Sequence, residues 1–279
     1  MQKELNRRDV IRVGGVIFVS GAISALQTFL SACGSPAAST AASSSGTSTS
    51  SSSTSCEQAT NVTRGPYFVD NISDPNIAGD NVDASIPQRS DIRADTKGSG
   101  GTQSGLPLTL TMNVGSYSSG MCSPISGAQV HIWHCNAQGE YSDIEAGSNG
   151  NGEDLTGENF LRGYQYTDSN GQVSFTTIYP GWYSGRTVHI HVKVRIFNSA
   201  GNVTTEATTQ LFFDDATSSA IYAANSSYSR STSRDVLNSS DQIYSSEDPA
   251  LLVNLSGSAS AGYTGTISIG IETGTIFGG

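Results

Sequence analysis

Two stretches of the chain alternate apolar and polar side chains with a period of two. Over residues 106–114 the even positions are Leu106, Leu108, Leu110, Met112 and Val114, with Thr109, Thr111 and Asn113 between them. Over residues 188–196 the even positions are Val188, Ile190, Val192, Val194 and Ile196, opposite His189, His191, Lys193 and Arg195. Successive side chains of a strand point to opposite faces, so each pattern predicts a half-buried strand. Further strands are predicted at 128–134, 172–178, 204–213 and 266–271. Gly139, Ser169-Asn170-Gly171, Pro180-Gly181 and Ala200-Gly201-Asn202 supply the turns between them. Helical periodicity is weak, with short candidates only at 216–224 and 234–244. The pattern predicts an all-β fold: a β-sandwich of mostly antiparallel strands, with long loops and few short helices.

The ends of the chain follow other rules. Asn6-Arg7-Arg8-Asp9-Val10-Ile11-Arg12 is a twin-arginine pattern, and an uncharged, largely apolar run follows from Val13 to Ala32. Leu30-Ser31-Ala32-Cys33 resembles a lipobox, in which Cys33 is lipidated and becomes the mature N-terminus. Residues 1–32 are therefore expected to be a signal peptide, and the chain an exported lipoprotein of the cell envelope, bound to a membrane through the lipid on Cys33 only. Residues 33–55 are rich in Ser, Thr and Ala, without charge or aromatic ring, and read as a flexible tether. Residues 56–279 form the expected folded domain, long enough for a sizeable core.

The 279 residues include 24 acidic and 14 basic side chains, a net charge of −10. Losing residues 1–32 removes four basic and two acidic groups and moves the balance to −12. That excess opposes nucleic-acid binding, which rests on Lys and Arg neutralising phosphates. Cys56, Cys122 and Cys135 remain in the domain, and disulfides persist outside the cytoplasm. Cys122 and Cys135 flank one predicted strand and are the favoured pair, with a bridge from Cys56 to either still open.

Metal chemistry enters through His189-Ile190-His191. Residues i and i+2 share a face, so both imidazoles can reach one ion. His131 and His134, three apart on another strand, point to opposite faces and cannot chelate together. With four His in all, the chain has fewer than a copper–zinc superoxide dismutase site uses, and no cupin-like Glu and further His follow the pair. The missing ligands are pushed onto oxygen donors, and tyrosinates suit hard Fe(III).

Several segments then act together. Ile132-Trp133-His134-Cys135-Asn136-Ala137-Gln138-Gly139-Glu140-Tyr141-Ser142 resembles the first tyrosinate segment of the intradiol ring-cleavage dioxygenases, the protocatechuate 3,4-dioxygenase and catechol dioxygenase family. Asn159-Phe160-Leu161-Arg162-Gly163 and Thr167-Asp168-Ser169-Asn170-Gly171 lead into Tyr179-Pro180-Gly181-Trp182-Tyr183 and Gly185-Arg186-Thr187-Val188-His189-Ile190-His191. The order Tyr, Tyr, Arg-x-x-His-x-His resembles that family, as does Gly65-Pro66-Tyr67; the likeness spans roughly residues 56 to 215.

The resemblance implies that Tyr141, Tyr183, His189 and His191 hold a non-haem Fe(III). Tyr183, two residues after the Pro-Gly pair, matches better than Tyr179 and is the ligand displaced by substrate. Arg186 matches the family's active-site Arg, and Gln210 a Gln that supports the site from behind the ligands. The implied reaction opens a catechol-type ring between its hydroxyl-bearing carbons with O2 and yields a muconate-type diacid, with no organic cofactor. Two other readings use the same residues: a non-catalytic β-sandwich binding lipoprotein, and a zinc or copper site built on His189 and His191.

Overall fold

The computed structural model describes residues 54–70, 86–98, 100–148, 152–247 and 250–277. The expected signal peptide, the Cys33 lipidation site and nearly all of the tether lie outside these residues. Two sheets form from β1 (Thr54–Ser55), β2 (Glu57–Gln58), β3 (Pro107–Ser118), β4 (Met121–Pro124), β5 (Gln129–Trp133), β6 (Arg162–Tyr166), β7 (Gln172–Ile178), β8 (His189–Phe197), β9 (Val203–Phe212), β10 (Asn254–Ser258) and β11 (Gly262–Ile271). Only two α-helices are described, α1 (Asp215–Ala224) and α2 (Gln242–Ser246).

In the first sheet β3 is central. It pairs antiparallel with β7 and β4 and parallel with β11, which in turn carries β10 and β2. The second sheet runs β6-β5-β8-β9, antiparallel throughout. The even residues of β3 bury Leu108, Leu110, Met112 and Val114 against Ile190, Val192 and Val194 of β8 and Val130 and Ile132 of β5. The period-two pattern thus predicts which side chains form the inner layer, as burying apolar area requires.

The outer face of β8 departs from the half-buried expectation. His189, His191, Lys193 and Arg195 are all buried. The cover is residues 59–70, laid across this face as a strap. The Val62 amide donates to the Thr208 carbonyl at 2.8 Å, and Asn61 Oδ1 accepts from the Thr208 amide at 3.1 Å. Phe68 lies 4.5 Å from the Lys193 ammonium, and Asp70 pairs with Arg195. Composition hid the strap, because it carries no alternation of its own.

The cysteine pairing is also corrected: Cys56 is joined to Cys122, and Cys135 is a buried free thiol. Cys122 sits on β4 opposite Tyr117 in the first sheet, whereas Cys135 lies just beyond β5 in the second and packs with Trp133, Tyr141 and Tyr183. Flanking a strand in sequence is not enough when a bridge requires Cα atoms within about 7 Å. The bridge closes beside the β1–β4 pairing, in which Thr54 lies opposite Cys122. The 234–244 helix candidate is in fact a 3-10 turn at Asn238–Ser240 and the short α2, separated by Asp241.

Candidate metal centre

Tyr141 is placed by a tight turn after β5. The Asn136 side-chain oxygen accepts from the amides of Gln138 and Glu140 at 2.9 and 3.0 Å, an Asx-type arrangement that reverses the chain. Gly139 has φ +86°, and a Cβ there would collide with the Trp182 carbonyl oxygen, so this turn requires glycine. Arg162 of β6 then grips the next residue: its Nη2 donates to the Ser142 carbonyl at 2.7 Å and its Nε to Ser142 Oγ at 3.0 Å.

His189 and His191 open β8 on its outer face, and Tyr183 reaches them from the loop before the strand. Tyr141 Oη lies 3.4 Å and Tyr183 Oη 3.2 Å from His189 Nε2, which is 3.1 Å from His191 Nε2. Donors sharing an ion at about 2 Å stand roughly 3 to 3.5 Å apart, so this spacing suits one common cation. His189 Nδ1 donates to the Thr187 carbonyl at 2.7 Å, which leaves the Nε2 lone pair facing the centre. Trp133 stacks on His191, rings nearly parallel with centroids 4.7 Å apart. Tyr179 turns elsewhere and meets Ser218 Oγ at 2.7 Å.

The electrostatics also suit a cation. Burial lowers the pKa of His189 to about 3 and holds His191 well below its ordinary value, so both imidazoles are neutral and free to coordinate. Burial raises Tyr141 well above the usual phenol range, reinforced by the Tyr183 phenol beside it. Tyr183 is raised by burial as well, against the pull of Arg186. Two neutral phenols and two neutral imidazoles meet here in a buried site, and a high-valent cation would stabilise both phenolates. Among the described residues no three His, Cys, Asp or Glu side chains gather to hold a metal, so the phenol oxygens are what complete this cluster.

Arg186 stands at the rim. Its Nε donates to Asp241 at 2.8 Å and its Nη2 to Gln210 Oε1 at 2.6 Å. Gln210 faces His191 across the β8–β9 register, and its Nε2 reaches the Thr63 carbonyl at 3.4 Å. From the strap, Tyr67 stacks on Tyr141 with centroids 4.5 Å apart and meets Tyr183 edge-on at 5.5 Å. Of the other histidines, His134 is buried and spans the Cys135 carbonyl and Thr177 Oγ1 at 2.8 and 2.7 Å, facing away from the cluster. His131 lies deeper along the strap-covered face, opposite Lys193, and adds no donor. Trp133, Arg162 and Asp241 had no role assigned from sequence, because their contacts come from segments distant in the chain.

The sandwich thus brings two phenols, two imidazoles and an arginine to one place, a donor set suited to a metal-dependent enzyme. Residues 84–247 match a family model described as Dioxygenase. An intradiol ring-cleavage dioxygenase from Tetranychus urticae is 30% identical, with 78% of this chain and 95% of that one covered and a TM-score of 0.60. A second dioxygenase crystal structure is 29% identical over the same shares, with a TM-score of 0.59. The dioxygenase domain of a dioxygenase carbohydrate-binding protein fusion from Streptomyces sp. SirexAA-E is 26% identical over 76% of this chain and 97% of that one, with a TM-score of 0.47. Comparison with curated proteins gives no match. The chain belongs to the intradiol ring-cleavage dioxygenases.

Proposed function

We propose that this protein is a non-haem Fe(III) enzyme that opens a catechol-type ring between its two hydroxyl-bearing carbons with O2, giving a muconate-type diacid. The observation that carries the reading is the convergence of Tyr141, Tyr183, His189 and His191 within hydrogen-bond distance around His189 Nε2. Two phenol oxygens in a four-donor set favour a hard ferric ion over softer metals. Bound there, the ion supplies a Lewis acid and a template that renders a chelated catecholate electron-rich.

The side chains divide the remaining work. Tyr141 is fully buried and Tyr183 is 8% exposed, so Tyr183 is the phenol with room to give way to a substrate oxygen and accept its proton. Arg186 presents a permanent positive charge where negative charge builds on the ring. Gln210 steadies that guanidinium, and Tyr67 closes the wall over Tyr141. Both oxygen atoms of O2 enter the product, so the overall reaction needs no external reductant.

Its place of work is read from the N-terminal residues: export by the twin-arginine leader, then attachment through a lipid on Cys33. Such an enzyme meets small catechols outside the cytoplasm. Oxygen uptake by iron-loaded protein across a catechol panel, with 18O2 and mass spectrometry of the product, tests the chemistry. The reading expects both labelled atoms in a ring-opened diacid; no uptake, or cleavage outside the diol, contradicts it. Labelled fatty acid should be incorporated by wild type and not by Cys33→Ala, and an unlabelled wild type or equal labelling of the two would exclude the lipid on Cys33.

A further inference from the structure

The loop that carries Tyr183 and Arg186 is clasped from outside by residues 235–244. Asp235 accepts from Ser184 Oγ at 2.5 Å and the Gly185 amide at 3.2 Å. Asn238 Oδ1 accepts from Thr187 Oγ1 at 2.6 Å. Asp241 makes the densest set of bonds. Its Oδ2 accepts from Arg186 Nε and from the Thr187 amide, both at 2.8 Å. Its Oδ1 accepts from the Ile243 and Tyr244 amides, both at 2.9 Å, and from Arg186 Nη2 at 3.4 Å.

The Asp241 side chain is 0% exposed, against 18% for Arg186. A buried carboxylate is tolerated only when its oxygens are saturated with donors, and here both are, from two directions. One side of the carboxylate caps α2; the other takes the Nε–Nη2 edge of the guanidinium side-on, the geometry that fixes an arginine's plane. Gln210 takes the second Nη2 bond. Among the described residues Nη1 meets no acceptor, so the donor left over belongs to the partly exposed rim of the site.

We propose that Asp241 is the positioning residue for Arg186: it holds the guanidinium plane so that Nη1 faces the substrate ring, and touches no substrate itself. The inference rests on the catechol reading above and extends it to a residue outside the metal cluster. It is separable from the fold, because Asn caps helices about as well as Asp. Asp241→Asn keeps the α2 cap while placing an amide where an anionic oxygen met Arg186.

The expected result in the iron-loaded protein is a fall in kcat of up to about 100-fold, as misplacement of a group near 1 Å can cause, with KM little changed. The visible absorption of the metal centre should be unaltered. The same substitution in an Arg186→Ala background should have no further effect, since a residue acting only through Arg186 leaves nothing to lose once it is gone. Crystal structures of wild type and Asp241→Asn give a readout independent of turnover: the Arg186 side chain should rotate off Gln210 while Tyr141, Tyr183, His189 and His191 stay in place. If Asp241→Asn fails to fold, Asp241→Ser serves instead, retaining a capping oxygen that cannot reach Arg186. An unmoved Arg186, unchanged kcat, or an equal loss in the Arg186→Ala background overturns the proposal. If wild type cleaves no catechol, the functional reading fails, and the crystallographic comparison still decides whether Asp241 positions Arg186.

Discussion

The strap-covered face of β8 holds two buried polar clusters that solve the same problem differently. At its far end Lys193 and Arg195 meet Glu206 at 2.8 and 2.6 Å, and Arg195 also pairs with Asp70. Cations and carboxylates there balance one another, and Arg195 keeps the Asp70 carboxyl below its usual range although burial alone would raise it. At the near end His189 and His191 meet Tyr141 and Tyr183, and among the described residues no carboxylate joins these four side chains. One cluster is closed by ion pairs within the chain; the other gathers neutral donors, the arrangement that the proposed ferric ion would complete. That difference, rather than burial, is what marks the near end as the candidate metal centre, since both ends are equally buried.

The largest effect should follow from emptying the near end. Tyr141→Phe keeps the ring stack with Tyr67 and removes one anionic donor. Iron affinity measured by chelator competition should drop by more than the ~100-fold that loss of an outer partner costs, and turnover should vanish. Full iron retention would show that Tyr141 is no ligand. The far end should respond in stability instead. Asp70→Ala leaves Arg195 buried with one of its two carboxylate partners, so denaturant unfolding should show a loss of about 3–5 kcal/mol, with the absorption of the folded fraction intact. A loss of colour at unchanged stability would reverse the assignment of the two ends.

Gly65 joins the strap to the near end. Its φ is +74°, and a Cβ there would lie 3.2 Å from His191 Cε1. Gly65→Ala should cost about 1–3 kcal/mol through backbone strain and also shift the metal-centre absorption by crowding His191. A pure stability loss with an unmoved spectrum would show that the strap does not bear on the ligand.

The last effect concerns a buried carboxyl that forms no ion pair among the described residues. Burial raises the pKa of Glu247 to about 8, with the backbone amides of Gln210 and Leu251 and the charge of Arg186 only partly offsetting it and the Asp241 carboxylate adding to it. The folded chain therefore keeps a proton that the unfolded chain has already released above about 4.5. Its contribution to stability is complete below that value and is lost as pH rises through about 8. Thermal melts should show wild type losing more stability than Glu247→Gln between pH 5 and pH 8. Parallel pH profiles would contradict the buried, protonated state.

How much of this could be read from the chain follows from the range of each interaction. The alternation over 188–196 assigned Ile190, Val192 and Val194 to the core and put His189 and His191 on one face, because strand periodicity is local. It could not reveal that the second face is buried too, since Asp70 and Phe68 arrive from a segment more than a hundred residues earlier. The motif order around Tyr141, Tyr183 and Arg186 marked the residues that meet, while their convergence depends on the Asn136–Gly139 turn and the Arg162 grip. Cys56 and Cys122 were misassigned for the same reason: neighbouring strands in the first sheet, not neighbours in sequence, bring them together. Asp241 was hidden inside a stretch read as one helix, where it is the break between two short ones.

The central claim is that the near end of β8 is a ferric phenolate centre, and the visible spectrum of iron-loaded protein tests it most directly. Phenolate-to-iron charge transfer should give a broad visible band and a red-brown colour, and titration with a catechol should shift that band as Tyr183 yields its place. A protein that binds one equivalent of iron and stays colourless, or whose band ignores catechol, would contradict the account.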